Sequence, residues 1–169
     1  NGLIRLGHNI LSLSDRDLVT FSKSIKDYSG AKFLNNLVEN TVNNFKPDLI
    51  IFGHADKINS EMLDRVKSKH NKLMIAQWFL DPLSKKGPDY HKNKSRILDK
   101  SKLIDATFIT TDPNSLDFKI KNSFFIPNPC DASLDSLKIY NRKPENDVFY
   151  AISHGVHRGI LREGKLDER

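Results

Sequence analysis

The stretch "LMIAQWFLDP", residues 73–82, is apolar from Leu73 to Leu80 save for Gln77, and it ends on an aspartate and a proline. A short run of aliphatic and aromatic residues closed by turn-forming residues reads as a strand buried on both faces, because a strand with one wet face would alternate. Five more segments share this composition: "HNILSLS" (8–14), "DLIIFGH" (48–54), "ATFITT" (106–111), "SFFIPN" (123–128) and "DVFYAIS" (147–153). Between them lie helical stripes. "AKFLNNLVENTVNNF" (31–45) sets Phe33, Leu34, Leu37, Val38, Val42 and Phe45 along one side, and "SEMLDRVKSKH" (60–70) does the same with Met62, Leu63 and Val66. A third helix is expected over 93–104, with Ile97, Leu98 and Ile104 inward. Apolar strands separated by amphipathic helices predict an α/β fold, a doubly wound, mostly parallel Rossmann-like sheet, since each crossover helix must bury its stripe on a sheet face.

The ends are read as truncated. "NGLIRLGHN" (1–9) looks like the last turns of a helix closed by Gly7 in a left-handed cap, followed at once by the 8–14 strand. A crossover helix without the strand before it is half a unit. Together with the absence of an initial methionine and the charged terminus "REGKLDER" (162–169), this predicts a piece of a longer protein that lacks one central strand.

The bulk numbers fit one core. The chain has 169 residues, 38% of them hydrophobic, and no apolar run near the ~20 residues of a bilayer span. With no signal-peptide pattern either, a cytoplasmic location is expected. Cys130 is the only cysteine, so neither a disulfide framework nor a cysteine-rich metal site is in view. The net charge of +6 is concentrated in Lys85, Lys86, Lys92, Lys94, Arg96, Lys100 and Lys102. That run fits an anionic partner, or simply a solvated helix face. No nucleic-acid-binding motif accompanies it, so nucleic acid is not an expected partner.

Ligands of open parallel sheets bind beyond the carboxyl ends of the strands. The polar residues there are "SDRD" (Ser14 to Asp17), "GHAD" (Gly53 to Asp56), Asp81, "TTD" (Thr110 to Asp112) and "PNPCD" (Pro127 to Asp131). Each has a structural alternative. Asp15, Asp17 and Asp112 are also good helix-start residues. Asp81 is equally suited to bonding amides around Pro82. Gly53 admits a close backbone approach, and His54 is of the residue type most used to carry protons at physiological pH, or else is a satisfied rim histidine. In "HGVHRG" (154–159), His154 and His157 have no third ligand at metal spacing, and glycines beside Arg158 suit a phosphate better.

Taken in order, "GHNILSLSDRD" (7–17), "PDLIIFGHAD" (47–56), "IAQWFLDP" (75–82), "DATFITTD" (105–112), "FFIPNPCD" (124–131) and "DVFYAISHGVHRG" (147–159) resemble the amino-terminal half of bacterial GT-B glycosyltransferases, particularly the spore-maturation-protein-like group. No motif is specific alone. The order of the six carries the likeness, which spans almost the whole chain. The resemblance implies an acceptor-side Rossmann-like domain over 1–146 and the start of a donor-binding domain over 147–169. It implies a nucleotide-sugar donor, a carbohydrate or other hydroxyl-bearing acceptor that includes anionic ones, and no obligatory metal or other cofactor. Displacement at an anomeric carbon needs a base on the acceptor hydroxyl and positive groups on the departing diphosphate. His54 and Asp81 are the expected base and its partner, in either order, with Asp15 behind them. Acceptor contacts are expected from Arg16, Asp17, Gly53, Trp78 and Asn128, and donor contacts from His154, Gly155, His157, Arg158 and Gly159. The first strand with its glycine loop, and most of the donor domain, depart from the family pattern by their absence.

Two other classes fit less of the sequence. A receiver-type signalling domain would have an aspartate where Gly53 and His54 end their strand, and a Lys-Pro after "FFIPNP". A non-catalytic carbohydrate- or nucleotide-binding module is compatible with the same fold.

Overall fold

The computed structural model describes residues 2–87, 89–128 and 143. Asn1–Asp131 form one compact unit. The boundary expected after residue 146, the "DVFYAIS" strand and the domain it opens lie outside the described residues.

Five helices are described, α1 (Gly2–Arg5), α2 (Asp15–Phe21), α3 (Ala31–Phe45), α4 (Ser60–Lys69) and α5 (Tyr90–Asp99). They accompany four strands, β1 (Leu49–Phe52), β2 (Met74–Phe79), β3 (Ala106–Ile109) and β4 (Ser123–Phe125). The strands pair in the order β1-β2-β3-β4, all parallel. This is the α/β, doubly wound, parallel Rossmann-like class that the alternation of strands and helices predicts.

α3 and α4 have the predicted bounds, and their stripes meet in one core. Leu34, Val38 and Val42 of α3 pack with Met62, Leu63 and Val66 of α4 and with Ile75 of β2. Burying each such side chain contributes roughly 1.5–3 kcal/mol. A second cluster joins Ile97 of α5 to Phe79, Leu83 and Ile109. α3, α4 and α5 thus form the helical layer on the face of β2 that carries Ile75, Gln77 and Phe79. Inside that layer Gln77 donates to the Ile97 carbonyl at 3.1 Å and to Thr107 Oγ1 at 3.0 Å, so the one polar residue between Leu73 and Leu80 has partners.

Three expectations need correction. Residues 8–14 are exposed and form no strand. A groove of about 710 Å³, lined by Ile10, Leu11, Leu13, Leu49 and Ile51 among others, separates them from β1. Among the described residues no backbone hydrogen bond engages residues 9–13, and strand composition without a partner does not make a strand. α5 begins earlier than predicted, because Tyr90 is drawn in to bond Asp117 and pack on Phe118. It ends at Asp99, where the Ser101 and Leu103 amides bond the Leu98 and Lys100 carbonyls and turn the chain toward β3, leaving Ile104 buried in a loop. Phe33, expected inward, is 48% exposed, and its neighbour Asn35 is buried instead.

The helix closed by Gly7 is as expected. Gly7 has φ 84°, and the His8 amide reaches back to the Leu3 carbonyl at 3.1 Å. Glycine is also required at position 30, where φ is 68° and a Cβ would lie 2.3 Å from the Val19 carbonyl oxygen.

Candidate functional site

β1 and β2 run parallel in a register that sets Phe52, the last residue of β1, against Gln77, so β2 continues two residues further and the chain beyond β1 passes alongside Phe79. Two residues past the end of β1, His54 lies on the helix-bearing face, as Phe52 does. Its ring stacks on Phe79 at 5.0 Å between centroids and 15° between planes. Asp81 follows two residues beyond the end of β2. His54 Nε2 stands 3.7 Å from Asp81 Oδ2, a distance beyond a hydrogen bond and within an ion pair. The side chains are 27% and 44% exposed. The two residues expected to share the base role are therefore together and partly open to solvent.

The His54 side is under-satisfied. Nδ1 is buried and has no hydrogen-bond partner among the described residues, a state that costs about 1–3 kcal/mol and that folded proteins keep for few groups. The next residue, Ala55, has φ 27°, in the left-handed region that side chains disfavour. Gly53 is exposed, with nothing within 4 Å of where a Cβ would stand, so no packing requires glycine there and the space beside it is free. Beyond Ala55, Asp56 Oδ2 accepts from Arg96 Nη2 of α5 at 2.7 Å.

The neighbouring loops are stitched down. Thr110 Oγ1 donates to the Leu80 carbonyl at 3.0 Å, and the Leu83 amide donates to Thr111 Oγ1 at 3.2 Å. Asn93 Nδ2 of α5 holds the Pro82 carbonyl at 3.1 Å. Asp112 takes the capping alternative, accepting from the Asn114 amide at 2.9 Å.

Other expected site residues stand apart from the pair. Ser14 is the cap of α2, accepting from the Asp17 amide at 3.4 Å, while Asp15 and Asp17 occupy the first turn, where the helix dipole favours them. Among the described residues no contact joins Asp15 to His54 or Asp81. Asp17 borders a hollow with Phe21 and Phe33, between α2 and α3. Arg16 is exposed on α2. Trp78 precedes Phe79 and so faces the opposite side of the sheet, its indole Nε1 buried without a partner. Asn128 is exposed beyond β4. His154, Gly155, His157, Arg158 and Gly159 lie outside the described residues.

Three of the seven residues of the basic run are engaged inside the domain. Lys94 donates to Tyr90 Oη at 3.1 Å and sits 4.7 Å from the Phe118 ring centroid. Lys100 pairs with Asp99 at 2.7 Å, and Arg96 with Asp56. The Tyr90 hydroxyl lowers the Asp117 pKa, aided by Lys94 and Lys85 against the effect of burial.

Local patterns gave no sign of the partners of Arg96 or Asn35. Arg96 finds its partner 40 residues away. Asn35 Nδ2 holds the Lys57 carbonyl at 2.8 Å while its Oδ1 accepts from the Asn59 amide at 2.9 Å, tying the end of the His54 loop to α3. Phe79 was legible in principle, since the alternation of β2 places it on the face that His54 shares.

Comparisons with protein-family models, with curated proteins and with solved structures find no match. What stands is a Rossmann-like α/β module of the general kind used by nucleotide- and sugar-binding proteins. Among the described residues no three histidine, cysteine or acidic side chains are grouped to hold a metal ion, and no helix is long and apolar enough to cross a membrane.

Proposed function

We propose that the chain is the acceptor-side part of a GT-B-type glycosyltransferase, which moves a sugar from a nucleotide-sugar to an acceptor hydroxyl. The observation that carries this reading is the approach of His54 to Asp81 at 3.7 Å, on adjacent strand ends of a parallel sheet. A base must be held on the acceptor side with its partner close by, and the pair meets that need. Either His54 Nε2 takes the hydroxyl proton while Asp81 orients the ring and stabilises the imidazolium, or Asp81 takes it and His54 orients the carboxylate. The open space at Gly53 and the exposed Asn128 suit acceptor contacts. Asp15, Arg16, Asp17 and Trp78 stand away from the pair and carry less of the proposal. His154, Gly155, His157, Arg158 and Gly159 would meet the diphosphate on the donor side, as the resemblance implies. The order of the six motifs supports a nucleotide-sugar donor.

The test is sugar transfer from a panel of nucleotide-sugars by the enzyme and by its Asp81→Asn and His54→Ala variants, with donor binding measured alongside. The reading expects transfer to fail in at least one variant while donor affinity holds. Normal transfer in both removes the pair from the chemistry.

A further inference from the structure

We infer that the Arg96–Asp56 ion pair is a positioning clasp that holds His54 in the geometry it shares with Asp81. The argument begins with what does not hold His54. Among the described residues its Nδ1 has no hydrogen-bond partner, and its Nε2 stops 3.7 Å short of Asp81. The ring touches Phe79 by a stacked face, which resists tilting but leaves sliding open. A ring without a hydrogen bond of its own takes its position from the backbone that carries it.

That backbone is the loop Gly53–Lys57, where the Ala55 carbonyl accepts from the Ile58 amide at 3.1 Å and the Ala55 side chain packs on the core of α3 and α4, and side-chain bonds hold it at two further points. At its far end Asn35 takes the Lys57 carbonyl and the Asn59 amide. In its middle, Arg96 takes Asp56 at 2.7 Å. Gly53, at the near end, is the residue least able to restrict a loop. Ala55, between His54 and Asp56, keeps φ at 27°, a conformation that persists only where the surroundings impose it. The clasp grips the next residue and joins the loop to α5. Arg96 is itself fixed, because its neighbour Ile97 is buried against Phe79, the ring on which His54 stacks. One short stretch of α5 therefore sets both the surface beneath His54 and the anchor of its loop.

The clasp is an unpromising device for stability alone. Its side chains are 25% and 37% exposed, and ion pairs in such settings add little to folding. Position is what it can supply.

This inference deepens the proposed acceptor-side role, but its test needs no sugar transfer. In the full chain, ring-to-ring nuclear Overhauser contacts between His54 and Phe79 are recorded in the parent, in Arg96→Met, in Asp56→Asn and in the charge-swapped double variant Arg96→Asp with Asp56→Arg, each with its thermal midpoint. The expected result is loss of the His54–Phe79 contacts in both single variants with the fold retained, and their return in the swap. Contacts that persist in Arg96→Met overturn the clasp. So does their loss only in step with global unfolding, which would make the pair merely structural. If the contacts behave as expected while no nucleotide-sugar is consumed, the clasp stands and the transferase reading falls.

Discussion

At the lower edge of the sheet, Asp105 meets a lysine and an amide; at the upper rim, Asp81 meets a histidine. The lower carboxylate is saturated. Its oxygens accept from Lys67 Nζ at 2.8 and 2.9 Å and from the Ile75 amide at 2.7 Å, and Lys67 also reaches the Leu103 carbonyl at 3.0 Å. Burial raises the Asp105 pKa, but the bonds from Lys67 and Ile75 outweigh it and leave the net shift downward. The upper pair stands beyond bonding distance, with an orphan ring nitrogen and a left-handed alanine beside it. Both regions bring a carboxylate to a basic group, Lys67 of α4 below and His54 beyond β1 above. The lower one has spent its bonding capacity on the fold, whereas the upper one has capacity left for a ligand. Unsatisfied polar groups, more than charge as such, separate a site from a joint.

The largest effects should separate the two regions. Asp81→Asn keeps size and removes basicity, so transfer should fall by about a hundredfold or more if Asp81 is the base. Its urea midpoint should barely move, since an exposed substitution changes stability by about 0.5 kcal/mol or less. Asp105→Ala should do the reverse, costing about 1–3 kcal/mol by leaving the Ile75 amide without its acceptor, with turnover unchanged. An Asp105 variant as stable as the parent, or an Asp81 variant that unfolds, would erase the distinction.

A pH titration sharpens it further. Hydrogen bonds from Arg65 and Lys69 hold the Glu39 pKa down from 4.5 to about 2, and Asp105 is also lowered. Because both folded values lie below the unfolded ones, the stability these groups add is fully present above their unfolded pKa values. It is lost as pH falls through the folded ones. For Glu39 that window runs from 4.5 down to about 2. Acid unfolding followed by circular dichroism should shift to higher pH in Glu39→Gln and in Asp105→Asn.

How much of this was legible in the sequence follows the range of the forces. α3 and α4 were readable to their ends because a stripe repeating every turn is local information. The paired strands were readable from composition. Residues 8–14 have that composition too, yet pairing depends on what lies alongside, which the segment itself does not encode. Strand-end chemistry named His54 and Asp81 but could not set them 3.7 Å apart, and it also named Asp15 and Asp17, which settle on α2. The clasp from Arg96 and the brace from Asn35 join residues 40 and 22 positions apart, and no local pattern marks them.

The smallest expected effect tests whether the rim is strained on purpose. Replacing alanine by glycine ordinarily destabilises by roughly 0.5–1 kcal/mol, because glycine loses more freedom on folding. At Ala55 the left-handed backbone, φ 27°, refunds much of that cost, since glycine meets no steric penalty there. Ala55→Gly should therefore fall within about 0.5 kcal/mol of the parent in urea unfolding. Freed of the side chain that limits its φ, the loop should hold His54 less firmly, so turnover should drop while the midpoint stays. The matching variant at the saturated edge is Ala106→Gly, next to Asp105 in β3, where no left-handed strain exists to relieve: there stability should fall and turnover should hold. Equal stability losses at the two alanines would mean that the strain at Ala55 is slight, and that the His54 loop is as settled as the joint beneath it.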